Sequence, residues 1–448
     1  MLFRSRLLVP FMGGVAFEAT KPTTQLIIEW PISWEAGMMQ VDGEQGGLLI
    51  ACYDDDFSNF KNLELRPGDK CWELFFETEN AAPFEGKRDV AGLEWHFRPY
   101  QGDWRVGARH YREWLWRTTK PEIGEDASWT REVRAEFHTG MDLETLDNLI
   151  AAGVDPAQTL LYVASWRTNG YDRNYPDYTP DPLLAPFVAR AHELGFKVML
   201  HVNYFGVDPL MPDYADFQTQ QFRHKYNGEL QWWLWERADP IIKFAYINPA
   251  STKWRIFFTQ KMVDLVKQTG VDALHLDQTL CIFNDKNGLY EGSNSAQGSL
   301  LLHKQLKEAM PEVAISGEGL DEVTFVHEAF AQRHVYGIDH SYGRFDPEQV
   351  RLAHPVCAFL FNERTQPYQY LGTTNPTSDQ LYLAWRDAYT NWGIIPGISW
   401  PSKTQLLTPV GTSRQAMEEV LMFQRNRLTA DMDGPWPEIG RASCRERV

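Results

Sequence analysis

The chain has 448 residues, of which 43% are hydrophobic and 23% charged, and its formal net charge is −17. That composition belongs to a folded chain long enough for two or three domains and excludes a disordered one. An acidic surface with no basic run argues against nucleic acid or an anionic membrane as partner. No apolar run reaches the roughly 20 residues that span a bilayer.

Trp 17, Tyr 18 and Phe 25 make 13% of the chain. Such rings either fill a core of large side chains or stack on flat apolar ligand faces, the C–H faces of sugars among them. Residues 1–5 and 439–448 fit no structural pattern and resemble translated sequencing adapter. They are expected to be non-native, with residues 6–438 an internal fragment of a longer protein. Compartment therefore stays open, cytoplasmic or secreted/periplasmic, as does oligomeric state. Cys52, Cys71, Cys281 and Cys357 show no metal-ligand spacing, and a Cys52–Cys71 pair across a sheet is left open.

In chain order, residues 6–102 read as β. Short apolar or alternating runs (48–53, 71–76) are separated by Gly, Pro and Asp clusters, which predicts an N-terminal β-sandwich with strands missing. Residues 103–128 change period: Val106, His110, Tyr111, Trp114 and Leu115 share a helix face, and a linker follows from Pro121. Residues 129–430 alternate strand and helix. Strands are expected at 133–138, 159–166, 197–204, 273–277, 313–317, 335–339, 356–361 and 394–399. Helices are expected at 183–194, 252–269, 299–310 and 413–428, the first two stopping at Gly195 and Gly270. Eight such repeats predict an α/β fold, a (β/α)8 TIM barrel. No glycine-rich phosphate loop follows a strand, which disfavours a doubly wound sheet. The long 206–247 loop, with Trp232, Trp233 and Trp235, reads as functional, as a packed subdomain, or as both.

Barrel active sites lie at the C-terminal ends of the strands. The side chains expected there are His138, Trp166, Arg167, Tyr171, Asp172, His201, Asn203, Tyr204, His275, Asp277, Gln278, Glu318, Asp321, Glu322, Asp339, His340, Asn362, Glu363, Arg364 and Trp400. The ring holds no lysine, which disfavours Schiff-base chemistry. Alternation along 270–277 puts His275 and Asp277 on one face. Glu318 ends the next strand between Gly317 and Gly319. Carboxylates on adjacent strand ends can stand about 5–6 Å apart, the spacing at which one attacks an anomeric carbon and the other protonates the leaving oxygen. Asp339, Glu363 and Asp321 compete with Glu318 for the acid/base role.

The run Asn248-Pro249-Ala250-Ser251, a helix, and then Gly270-Val271-Asp272-Ala273-Leu274-His275-Leu276-Asp277 resembles the fourth-strand region of α-retaining glycoside hydrolases. These include the melibiase-type α-galactosidases and the amylase-like and endo-α-N-acetylgalactosaminidase barrels. Pro10–Gly14 and Tyr111-Arg112-Glu113-Trp114 look like the sandwich and connecting helix of such enzymes. The resemblance implies a retaining α-glycosidase that needs no cofactor and takes a carbohydrate substrate, with Asp277 as nucleophile and Glu318 as acid/base. Three departures stand beside it. His275 occupies the place of an amylase-type Arg. A melibiase-like acid/base would be Asp339. Asn362-Glu363-Arg364 replaces the amylase His-Asp. Trp166, Arg167, His201, Asn203, Tyr204, His275, His340, Arg364 and Trp400 are the expected sugar contacts. Two alternatives stay open: a sugar-binding barrel without catalysis, and a metal-dependent hydrolase using His138, His201, His275 and Asp277.

Overall fold

The computed structural model describes residues 5–19, 24–89, 92–121, 126–235, 238–339, 344–370 and 392–426, with Arg386, Ala388 and Tyr389. The adapter-like ends, most of the 121–126 linker and His340 lie outside the described residues, as does the side chain of Asp339.

Two antiparallel sheets, of five and three strands, make the N-terminal sandwich between Arg6 and Gln101. The helix Trp104–Thr119 follows, started by the Asp103 carboxylate, which accepts from Arg105 N. Its buried face is Trp104, Gly107, Ala108, Tyr111, Trp114 and Leu115, whereas Val106 and His110 sit at its edge. Cys52 is buried and Cys71 exposed, and both are free thiols.

Eight parallel strands then form one sheet. In barrel order they are Ala135–His138, Thr159–Val163, Lys197–Asn203, Ala273–Asp277, Ala314–Gly317, Phe330–Arg333, Gln366–Gln369 and Gly397–Ser399. The eighth pairs with the first, and a Tyr368–Ile395 bridge joins the seventh to the eighth, so the barrel closes. Gly397 lies opposite Glu136, where an added Cβ would stand 1.7 Å from the Glu136 carbonyl oxygen. Only glycine permits that approach.

Two expected strands are displaced. The sixth is Phe330–Arg333 rather than 335–339, and residues 356–361 form the helix Val356–Phe361, the seventh strand being Gln366–Gln369. The remaining six fall where the periodicity puts them. The helix Thr252–Thr269 matches its expected bounds, with Ser251 accepting from Trp254 N at its start and Gly270 left-handed at its end. The long loop is a three-stranded antiparallel sheet built on Gly206–Val207, Trp232–Trp235 and Ile242–Tyr246.

Sandwich and barrel share one apolar cluster. Trp30, Trp34 and Tyr111 pack with Leu320, Val323, Phe325 and Phe359. A buried polar anchor crosses the same interface. Glu322, after the fifth strand, accepts from Trp30 Nε1 at 2.6 Å and from Tyr111 OH, and stands 3.5 Å from Lys61 Nζ. Among the described residues no helix is long and apolar enough to cross a membrane.

Candidate active site

Parity along each strand decides which side chains reach the barrel lumen. His201 lies opposite His275, and Asn203 opposite Asp277, in the third and fourth strands. His275 in turn lies opposite Ser316 of the fifth. The lower lumen is apolar, with Leu160, Met199, Ala273, Ala314 and Phe330. The upper lumen is polar and buried. Tyr162 OH sits 2.6 Å from His201 Nδ1, and Tyr368 OH and Ser316 Oγ sit 2.9 and 3.2 Å from His275 Nδ1. These contacts fix both rings and leave each Nε2 facing the mouth.

Asp277 closes the fourth strand there and is 9% exposed. Asn203 Nδ2 donates to its Oδ2 at 3.3 Å, and His201 Nε2 stands 3.9 Å away. Glu318 follows the fifth strand. It accepts from Tyr370 OH at 2.7 Å and from the backbone N–H of Gln278, the residue after Asp277, at 3.0 Å. The turn that presents this N–H is left-handed at Gln278, with φ of 64°. A third carboxylate, Asp172, accepts from Tyr175 OH at 3.0 Å, Trp235 Nε1 at 3.2 Å and His201 Nε2 at 3.3 Å. Asp172 and Trp400 are also left-handed, at φ 54° and 47°. Such backbone costs about 1–3 kcal/mol per residue and collects at functional sites.

Burial raises the Asp277 carboxyl well above its ordinary range, and repulsion from Glu318 and Asp172 adds to the effect. Burial also raises Glu318, opposed by the Tyr370 and Gln278 hydrogen bonds. Two such carboxyls hold a proton between them at pH values where isolated ones are both ionised. One acid and one base side by side are what a two-carboxylate displacement requires. Desolvation keeps His275 and His138 neutral, far below the ordinary histidine range. His201 Nε2, His275 Nε2 and an Asp277 oxygen lie within 4.8 Å of one another, a set able to hold a metal ion. His275 Nε2 has no hydrogen-bond partner.

Other expected site residues are distributed unevenly. Trp400 is 51% exposed at the rim and its ring centroid stands 3.9 Å from that of His138, a platform for a flat ligand. Trp166 and Tyr204 are fully buried instead. Trp166 Nε1 ties down the His201 carbonyl, and Tyr204 packs on Phe205 in the layer outside the barrel. Arg167 is buried and clamps its own loop through the carbonyls of Arg173 and Asp177. Arg364 and Glu363 precede the seventh strand, so they sit at the end of the barrel opposite the mouth. Arg364 pairs with Asp126, and Glu363 pairs with Arg112 on the surface. Asp321 turns from the mouth to accept from Val323 N and Thr324 N. Asp339 falls outside the barrel sheet, in a two-stranded hairpin. Expectation had given Asp172 no chemical role and had missed Tyr162, Tyr368 and Tyr370. The strand that carries Tyr368 and leads into Tyr370 had been placed elsewhere.

Residues 93–298 match a domain family of unknown function, DUF6259. A sequence comparison with curated proteins finds no match. In three dimensions the chain is similar to the α-N-acetylgalactosaminidase NagBb from Bifidobacterium bifidum. The TM-score is 0.70 at 12% identity, over 94% of this chain and 74% of that one. NagBb in complex with GalNAc gives 0.70 at 11% identity, over 95% and 74%. The GH36 α-galactosidase AgaA from Geobacillus stearothermophilus gives 0.56 at 8% identity, over 94% and 61%. The chain thus shares its fold, a (β/α)8 barrel after an N-terminal β-sandwich, with these proteins.

Proposed function

We propose that the chain is a retaining α-glycosidase in which Asp277 is the nucleophile and Glu318 the acid/base. The observation that carries this reading is the pair itself. A buried carboxylate and a half-buried one close adjacent barrel strands, and the Gln278 N–H, directly after the first, holds the second at 3.0 Å. Asp277 attacks the anomeric carbon while Glu318 gives its proton to the departing oxygen. Glu318 then deprotonates the water that releases the sugar. Tyr370 orients Glu318, and Asn203 and His201 steer and stabilise the Asp277 carboxylate. Trp400 offers a ring face to the sugar. The similar proteins act on α-galactosides and α-N-acetylgalactosaminides by their names, and these are the first substrates to try.

The test is a panel of aryl α-galactoside, α-N-acetylgalactosaminide and α-glucoside, with β controls, on the chain and on Asp277→Asn. One α-glycoside is expected to turn over with retention of anomeric configuration, and Asp277→Asn to lower kcat/KM at least ~10³-fold. Binding without turnover would instead mark a lectin-like barrel. The His201–His275–Asp277 set supports a second reading, metal-assisted hydrolysis. Activity that chelator abolishes and a transition metal restores would select it.

A further inference from the structure

The ladder between the sixth and seventh barrel strands ends with Arg333 opposite Gln369. Tyr370, which holds Glu318, stands one residue past that end. A side chain distant in sequence continues the ladder by one rung. Tyr389 OH donates to the Arg333 carbonyl at 2.9 Å and accepts from the Tyr370 N–H at 3.0 Å. A single hydroxyl supplies the donor and the acceptor that these two backbone groups need.

The Tyr389 ring is 6% exposed and belongs to an apolar cluster with Val335, Ala388 and Trp392. Phenylalanine would fill that cluster as well, so packing alone does not account for the hydroxyl. A buried hydroxyl costs free energy unless it is bonded, and here its bonds join two strand ends at the mouth.

Both ends of the rung bear on Glu318. On the seventh strand, the tied backbone carries the phenol that donates to Glu318 Oε1 at 2.7 Å. On the sixth, Arg333 leads into His334. The His334 ring meets that of Tyr370 edge-on at 4.5 Å between centroids, and its Nε2 stands 3.9 Å from the same Glu318 oxygen. Arg333 is itself held from the other domain. Glu35 of the sandwich is 6% exposed, accepts from Gly13 N at 2.8 Å and pairs with the Arg333 guanidinium. A general acid works only within hydrogen-bond reach of the oxygen it protonates, and a misplacement of about 1 Å can cost ~10²-fold in rate.

We propose that Tyr389 is a positioning residue for proton transfer: it sets Tyr370, and Tyr370 aims the Glu318 carboxyl at the leaving oxygen. Glu35 holds the Arg333 end of the same tie. The inference rests on the reading of Glu318 as acid/base given above.

The experiment uses two α-glycosides of the sugar that the parent accepts, one methyl and one dinitrophenyl. Methanol leaves only with a proton, dinitrophenolate leaves without one, and kcat/KM reports the glycosylation step for both. Glu318→Gln calibrates the comparison and is expected to lose at least ~10²-fold more on the methyl glycoside than on the other. Tyr389→Phe is expected to lower kcat/KM about tenfold on the methyl glycoside and less than about twofold on the dinitrophenyl one. Because Tyr389 acts through Tyr370, the double variant Tyr370→Phe/Tyr389→Phe is expected to be no slower than Tyr370→Phe alone. Equal losses on both substrates, no loss on either, or a loss that adds to that of Tyr370→Phe overturns the positioning role. If Tyr389→Phe does not fold, Glu35→Gln, which keeps an acceptor for Gly13 and removes the charge beside Arg333, goes through the same comparison under the same criteria. A folded parent that cleaves no α-glycoside, or a Glu318→Gln that loses both substrates alike, overturns the acid/base reading and the positioning role with it. A selective loss in Glu318→Gln without one in Tyr389→Phe overturns the positioning role alone.

Discussion

Proton placement at the mouth depends on a few single contacts. Tyr370 OH and the Gln278 N–H both donate to Glu318 and so favour its anion, against the burial that disfavours it. Removing the phenol leaves burial less opposed, and the Glu318 carboxyl moves further up. Tyr370→Phe is therefore expected to shift the alkaline limb of the kcat/KM profile to higher pH and to lower the maximum by about tenfold. A limb that stays in place would show that Glu318 is not the titrating acid. The lesson of sequence reading at this scale is one of parity. His201, Asn203, His275 and Asp277 alternate toward the lumen, and alternation alone finds them. Tyr204 follows Asn203 and therefore faces outward, and Trp166 lies three residues beyond its strand, in the loop. Polar or aromatic character drew attention to these two, although their position had already turned them away from the mouth.

At the scale of the strand, legibility followed what each strand buries. Strands with an apolar outer face, such as Thr159–Val163 and Ala273–Asp277, carry a strong hydrophobic signal. Gln366–Gln369 reads Gln-Pro-Tyr-Gln, because its inward residues join the polar upper lumen and it spans four positions. Nothing in that run announces a strand. Residues 356–361 are apolar throughout and buried on every side, and a short run without period does not distinguish helix from strand. Losing two strands also misplaced Asp339, Glu363 and Arg364, since strand ends nominate site residues. The lumen makes one further demand, on the first strand. Glu136 is 2% exposed and accepts one hydrogen bond, from Gln369 Nε2 at 3.1 Å. Burial pushes its carboxyl up from 4.5 to about 8. The folded chain thus keeps a proton that the unfolded chain releases, so this stability is fully present below about pH 4.5 and is lost as pH rises through about 8. Glu136→Gln is expected to flatten that decline, raising Tm at pH 8 on the order of 5 °C relative to the parent. Thermal melts at pH 5 and pH 8 check it, and an unchanged difference between the two pH values would refute the assignment.

For the whole molecule, the order of domains was legible from the change of period near residue 103, but their mode of contact was not. Glu322 had been read as a strand-end acid. It reaches Trp30, Lys61 and Tyr111 instead, three residues distant in sequence that no spacing connects. Lys61 is fully buried against Glu322 and Asp54, and its Nζ makes no hydrogen bond. Glu322→Ala leaves that ammonium with Asp54 alone and strands two side-chain donors. It is expected to cost about 3–5 kcal/mol in a denaturant melt, with sandwich and barrel unfolding in one transition before and after. Two separate transitions in the parent would contradict a shared core.

The shared anchor bears on how such a chain can be recombined. Glu322 lies four residues from Glu318, so the segment that tethers the two domains is the segment that carries the proposed acid/base. A cut near residue 128, natural as it looks on paper, would part the reactive loop from the partner that holds it in register. Exchange of the barrel between proteins, in evolution or at the bench, is then expected to succeed when the preceding hundred residues travel with it.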